Sequence, residues 1–82
     1  MTVRALLFGR YRDAAPPGGM LAVELPAAAT AADLARRLAD SDPRLSDLLA
    51  RTRVAVNAEF ADADAPLAEG DEVAFLPPMS GG

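Results

Sequence analysis

Hydrophobic and polar residues alternate in two segments near the start of the chain. In residues 2–8 every second position from Val3 onward is apolar, and Thr2 lies on the opposite face. A period of two is typical of a half-buried strand, and it places Phe8 on the outer face with Thr2. Residues 20–25 alternate in the same way. Because a loop rich in proline and glycine separates the two segments, the pattern predicts a hairpin.

A helix is predicted after this hairpin. Thr30 followed three residues later by Asp33 has the spacing of a capping box, although Asp is shorter than the usual Glu. Leu34 and Leu38 then recur at a spacing of four, and Pro43 cannot continue a helix. These signals predict one amphipathic helix of about three turns.

The second half of the chain predicts three further strands. The leucine pattern of residues 44–51 fits either a short helical piece or an irregular loop, whereas residues 53–57, 59–60 and 72–76 read as strands. The element order predicts one α+β domain over residues 1–78, a mixed sheet with one main helix packed across one face. This is the order of the ubiquitin-like β-grasp roll.

The composition excludes several classes of function. The 82 residues include no cysteine and no histidine, so disulfides, zinc-thiolate sites and the commonest general base are missing. The net charge is -4 and the eight basic residues are scattered arginines, which argues against a nucleic-acid partner. Arg10 and Arg12 offer rim contacts to acidic partners, although solvated arginines are commoner. Asp62 and Asp64 supply too few oxygen ligands to predict a metal site.

The location and mode of action also follow from composition. No apolar run approaches the roughly 20 residues that span a bilayer, and the first residues do not resemble a signal peptide. We therefore expect a cytoplasmic protein without a membrane partner. Without the usual catalytic side chains, it is expected to act by presenting a surface and not as an enzyme alone.

The C-terminal segment is the strongest candidate for chemistry. Pro77 and Pro78 cannot donate ladder hydrogen bonds, so the sheet is expected to end there. Residues 79–82 are predicted to form a flexible tail, and Gly81 and Gly82 make its end thin enough to thread into a narrow cleft. Two terminal glycines arise by chance in about one chain in 200, so ordinary fraying is the alternative.

A longer motif makes a chance occurrence of the two terminal glycines less plausible. Gly70-Asp71-Glu72-Val73, Pro77-Pro78 and Gly81-Gly82 occur in one run, with Val56-Asn57 and Leu7-Phe8 upstream. This combination closely resembles the small-subunit family of molybdopterin synthase, which are ubiquitin-like sulfur carriers. The resemblance covers essentially the whole chain.

The resemblance implies a specific chemistry for Gly82. A ubiquitin-activating-like adenylyltransferase would use ATP to adenylate its carboxylate, and sulfur from a donor protein would convert it to a thiocarboxylate. The thiocarboxylate would then donate sulfur to a pyranopterin precursor in the large synthase subunit. The chain itself would bind no cofactor. The alternatives are a carrier for thiamine thiazole, cysteine or tRNA thiolation, a ubiquitin-like protein modifier, or an interaction module with an inert tail.

Strand parity predicts where partners dock. If Phe75 faces the helix, then Leu76 faces outward on the same side as Phe8. The first and last strands are neighbours in a β-grasp sheet, so these two residues, with Phe60, are expected to form an exposed apolar patch. The alternative is that one of them completes the core. With the family's docking segment added, the predicted partner-binding residues are Phe8, Phe60, Leu76, Pro77, Pro78, Met79 and Ser80, with Gly82 reactive and Gly81 providing clearance.

Overall fold

Five strands and two α-helices, with two short 3₁₀ turns, build residues 1–78, the part of the chain that the computed structural model describes. The strands are β1 (Thr2–Leu7), β2 (Met20–Glu24), β3 (Arg53–Val56), β4 (Glu59–Phe60) and β5 (Glu72–Leu76). The helices are α1 (Ala31–Ser41) and α2 (Leu48–Arg51), and the 3₁₀ turns are Gly9–Ala14 and Pro43–Leu45. The predicted tail, residues 79–82, lies outside the described residues.

The strands form one mixed sheet in the order β2-β1-β5-β3-β4. The central pair, β1 and β5, is parallel, with Leu7 opposite Phe75, and every other pair is antiparallel. The predicted α+β roll with one main helix is confirmed. Parallel pairing brings the carboxyl ends of β1 and β5 to the same edge of the sheet, which is where the tail is attached.

Helix α1 begins with the predicted capping box. The Thr30 hydroxyl accepts a hydrogen bond from the Asp33 amide at 3.2 Å, and the Asp33 carboxylate accepts one from the Thr30 amide at 2.9 Å. These bonds satisfy amides that the first helical turn leaves without partners. They also hold the pKa of Asp33 below its ordinary value, with the bond from the Thr30 backbone as the largest cause. Leu34 and Leu38 of α1 are buried, as the spacing predicts.

The core lies between α1 and one face of the sheet, here called the helix face. Six side chains of this face are no more than 6% exposed: Val3, Ala5, Leu7, Val54, Val73 and Phe75. Val56, also predicted to point inward, packs against the core but is only partly buried. The alternation of β1 and β5 is therefore read correctly from the sequence.

Two segments that the sequence left undefined are helical turns. Residues 9–19, predicted as a loop, begin with the Gly9–Ala14 turn, which buries Tyr11. In residues 44–51, where a short helix and an irregular loop were both possible, the structure has a 3₁₀ turn followed by α2. Leu45 and Leu48 close one end of the core there.

Across residues 1–78, none of the helices has both the length and the apolar character that a membrane crossing requires.

Candidate functional site

The sheet face opposite α1, here called the outer face, carries a row of apolar side chains across all five strands. The pairing places Met20, Leu6, Ala74, Ala55 and Phe60 side by side, one from each strand. The third and fourth members, Ala74 and Ala55, are small, so the row is low there and higher at Leu6 on one side and Phe60 on the other. The result is a shallow apolar groove along the sheet.

A second row lies nearer the carboxyl end of β5. Leu76 is opposite Arg53, and Phe8 follows directly after β1. The Arg53 guanidinium lies 3.8 Å from the centre of the Phe60 ring, a cation–π contact that holds this ring at the side of the groove. The groove is lined by one charged residue, Glu72, and by seven apolar residues, which we call the apolar patch: Leu6, Phe8, Ala55, Ala58, Phe60, Ala74 and Leu76.

The exposure of the patch decides between the two interpretations left open by the sequence. Phe8 is 40% exposed and Phe60 is 62% exposed, while Leu76 is half-buried. None of the three belongs to the core, so the prediction that they stay outside it is confirmed. Covering a contiguous apolar surface of this kind removes apolar area from water, which favours the binding of another molecule. Their role in binding a partner stays a prediction.

The tail root, Pro77-Pro78, lies against the turn that follows β1. Gly9 adopts φ +59°, and a Cβ added there would be only 3.3 Å from Cγ of Pro77. Glycine is suited to both demands, the left-handed backbone and the close approach. The chain therefore leaves the sheet at a defined place, next to Phe8.

A polar cluster braces the same turn. The buried Tyr11 hydroxyl donates to Asp47 at 3.0 Å, and Arg10 donates to the Tyr11 hydroxyl at 2.9 Å and to Asp47 at 2.5 Å. Partial burial opposes ionisation of Asp47, but the hydrogen bonds from Tyr11 and Arg10 outweigh it and lower the pKa of this carboxyl below its ordinary value. The cluster ties the turn after β1 to the start of α2.

Sequence reasoning missed this cluster. Tyr11 and Asp47 are 36 residues apart, and neither belongs to a recognisable motif. The one available signal is an aromatic residue between two arginines in a segment without periodicity.

The remaining predicted site residues, Met79, Ser80, Gly81 and Gly82, lie outside the described residues. Of the predicted docking segment the structure therefore places Pro77, half-buried, and Pro78, exposed.

Comparison with known proteins gives concordant matches over nearly the whole chain. The model of the ThiS family matches residues 5–82. The molybdopterin synthase sulfur carrier subunit of Mycobacterium tuberculosis is 36% identical over 80 residues, which cover 98% of this chain and 96% of that protein.

Solved structures share the fold. SAMP1 from Haloferax volcanii superposes with a TM-score of 0.83 at 28% identity, and the match covers both chains completely. Subunits 1 and 2 of molybdopterin-converting factor from Helicobacter pylori were solved as a complex, and the matching chain has a TM-score of 0.70 at 24% identity, again with full coverage of both chains. At that identity, the second likeness speaks for the fold alone.

Proposed function

Because the chain belongs to the ThiS family of ubiquitin-like sulfur carriers, we propose that it is the sulfur-carrying small subunit of a molybdopterin synthase. The similarity to the M. tuberculosis carrier along 98% of the chain supports this branch of the family. The observation that carries the proposal is the apolar patch directly beside the tail root.

The chemistry takes place at the carboxylate of Gly82. A free carboxylate is a poor acyl donor because its leaving group would be oxide. Attack of this carboxylate on the α-phosphate of ATP forms an acyl-adenylate and releases pyrophosphate. A sulfide equivalent from a donor protein then displaces AMP and leaves a thiocarboxylate. The chain has no glycine-rich phosphate loop of the Walker type, so a partner adenylyltransferase supplies the nucleotide site.

The chain's own residues bind and guide in this scheme. The apolar patch docks on the large subunit, and Pro77-Pro78 directs residues 79–82 toward its active site. Gly81 and Gly82 have no Cβ, so the reactive end can enter a cleft that excludes larger residues. In the large subunit the thiocarboxylate sulfur attacks the pyranopterin precursor and forms a carbon–sulfur bond. Water then cleaves the acyl–sulfur bond, which leaves the sulfur on the precursor and returns the Gly82 carboxylate. The two-subunit assembly of the H. pylori relative is a precedent for this partnership.

Intact-mass spectrometry tests the proposal. The chain is incubated with the adenylyltransferase, ATP and a sulfur donor, and one sulfur-for-oxygen exchange at Gly82 is expected. Addition of the large subunit and the pyranopterin precursor should reverse the exchange. The matched control carries one extra alanine after Gly82; it should fold normally by circular dichroism and gain no sulfur. Sulfur transfer by this extended variant would contradict the proposal.

A second candidate, a ubiquitin-like protein modifier, is favoured by the fit to SAMP1, a small archaeal modifier protein. The same experiment distinguishes the two functions, because conjugation produces isopeptide-linked adducts on lysines of other proteins. All eight basic residues of this chain are arginines, so adducts cannot come from its own side chains. Carriers for thiamine thiazole, cysteine or tRNA thiolation remain alternatives within sulfur transfer, and they are distinguished by which acceptor removes the sulfur.

A further inference from the structure

Two arginines at the tail root share a single carboxylate. Arg10 is 2.5 Å from Asp47 and Arg51 is 4.0 Å from the same oxygen. Within residues 1–78, Asp47 is the only ion-pair partner of either arginine. The two arginine side chains are 66% and 71% exposed. Among the described residues, these two guanidinium groups and one carboxylate therefore carry a net charge of +1, which is presented to solvent.

This charge lies where the chain leaves the sheet. Arg10, Arg51 and Asp47 line one surface depression together with Pro77 and Pro78. The opposite edge of the sheet, where β1 and β5 begin, is acidic. Two positive charges, Arg4 and the Met1 ammonium group, lie there with four carboxylates, Glu24, Glu69, Asp71 and Glu72. A chain with a net charge of -4 thus carries a basic site at the tail root.

We propose that the depression between Arg10 and Arg51 binds a carboxylate-bearing segment of the protein that receives the tail. Guanidinium groups pair with carboxylates through planar, two-point hydrogen bonds. The four residues beyond Pro78 span at most about 14 Å. When these four residues extend into a cleft of the partner, the two arginines lie at the rim of that cleft, away from the reacting atoms. This inference deepens the proposed function and takes the identity of the partner from it.

The charge distribution also favours one orientation of approach. An acidic rim on the partner attracts the tail root and repels the acidic edge at the other end of the sheet. Such complementarity steers encounter and raises the association rate more than it strengthens the final complex. The carrier would therefore approach its partner with the tail root oriented toward the partner.

A peptide titration tests the site without any partner protein. Hexaglutamate is added at low salt, and NMR signals of backbone amides and arginine Nε–H groups are followed. Saturable shifts are expected at Arg10, Tyr11 and Arg51, and they should disappear in the Arg10→Gln/Arg51→Gln variant. Equal shifts at Arg36 of α1, an arginine with the same 66% exposure as Arg10, would overturn the proposal, as would the absence of shifts.

A kinetic measurement extends the test to the partner. In sulfur transfer from the thiocarboxylated carrier to the precursor in the large subunit, Arg10→Gln/Arg51→Gln should raise KM for the carrier about fivefold at low salt with unchanged kcat, and high salt should remove the difference. The Arg36→Gln/Arg37→Gln control makes the same charge change on α1 and should leave KM unchanged. An equal rise in both variants would contradict a local site. If the unaltered chain gains no sulfur, the proposed function fails, while the titration still decides whether carboxylates bind here.

Discussion

The two faces of the sheet are built from the same strands and from similar apolar residues, yet they meet different surroundings. On the helix face, Val73 and Phe75 are 0% exposed, whereas Phe60 on the outer face is 62% exposed. A chain with one main helix can cover only one face of its sheet. Apolar character alone therefore does not distinguish the core from the exposed surface; the distinction depends on strand parity and on the side of the sheet that the helix occupies.

The largest expected effect comes from breaking the helix face. Phe75→Ala removes a fully buried ring and leaves a cavity, which should lower the free energy of unfolding by about 3–5 kcal/mol. Urea denaturation measures the change. The matched control, Phe60→Ala on the outer face, should cost no more than about 1 kcal/mol, since mainly the contact with Arg53 is lost. Equal losses of unfolding free energy in the two variants would contradict the assignment of Phe75 to the core and of Phe60 to the exposed surface.

A charge on the outer face should affect binding and not folding. Phe8→Asp places a carboxylate in the apolar patch, where a partner would have to desolvate it, so affinity for the large subunit should fall about tenfold or more. Calorimetry measures the affinity, and the melting temperature should change little. Leu49→Asp on α2 is the control, because Leu49 is 39% exposed and Phe8 is 40% exposed. A large fall in melting temperature would instead place Phe8 in the core.

The helix that covers the core offers a smaller test. Thr30→Ala removes the hydroxyl of the capping box and should lower the free energy of unfolding by about 1 kcal/mol. Thr30→Ser keeps the hydroxyl and should restore most of that loss. Neither change should alter affinity for the large subunit, and a loss of affinity in Thr30→Ala would mean that the two faces are coupled.

The smallest expected effect concerns acid stability at the tail root. The pKa of Asp47 is lowered in the folded chain, so its ionised form contributes stability above the unfolded pKa of about 3.9. That contribution is lost as pH falls through the lower, folded pKa. Asp47→Asn should therefore show a shallower loss of urea midpoint below about pH 4 than the unaltered chain. An equally steep loss in Asp47→Asn and in the unaltered chain would contradict this role of Asp47.

The features predicted correctly are those that depend on neighbouring residues. The alternation around Val3 and the capping box at Thr30 are local patterns. The first predicts a half-buried strand and the second predicts the start of a helix. The burial of Tyr11 depends on Asp47, which is distant in sequence, so no local pattern indicates it. Ala55 is buried on the outer face, where it lies opposite Phe60 of β4, and only the strand register reveals this neighbour.

The parallel pairing of β1 with β5 has a consequence for how the chain is made. The centre of the sheet joins Leu7 to Phe75, so β1 can pair with β2 early, but its second neighbour, β5, exists only when nearly the whole polypeptide has been made. Contacts this distant in sequence slow folding, because a long loop must close before they form. The strand that completes the fold is also the one that directly precedes the proposed sulfur-bearing segment. A chain that ends before β5 lacks both, so it does not compete for the partner as a folded but inactive copy.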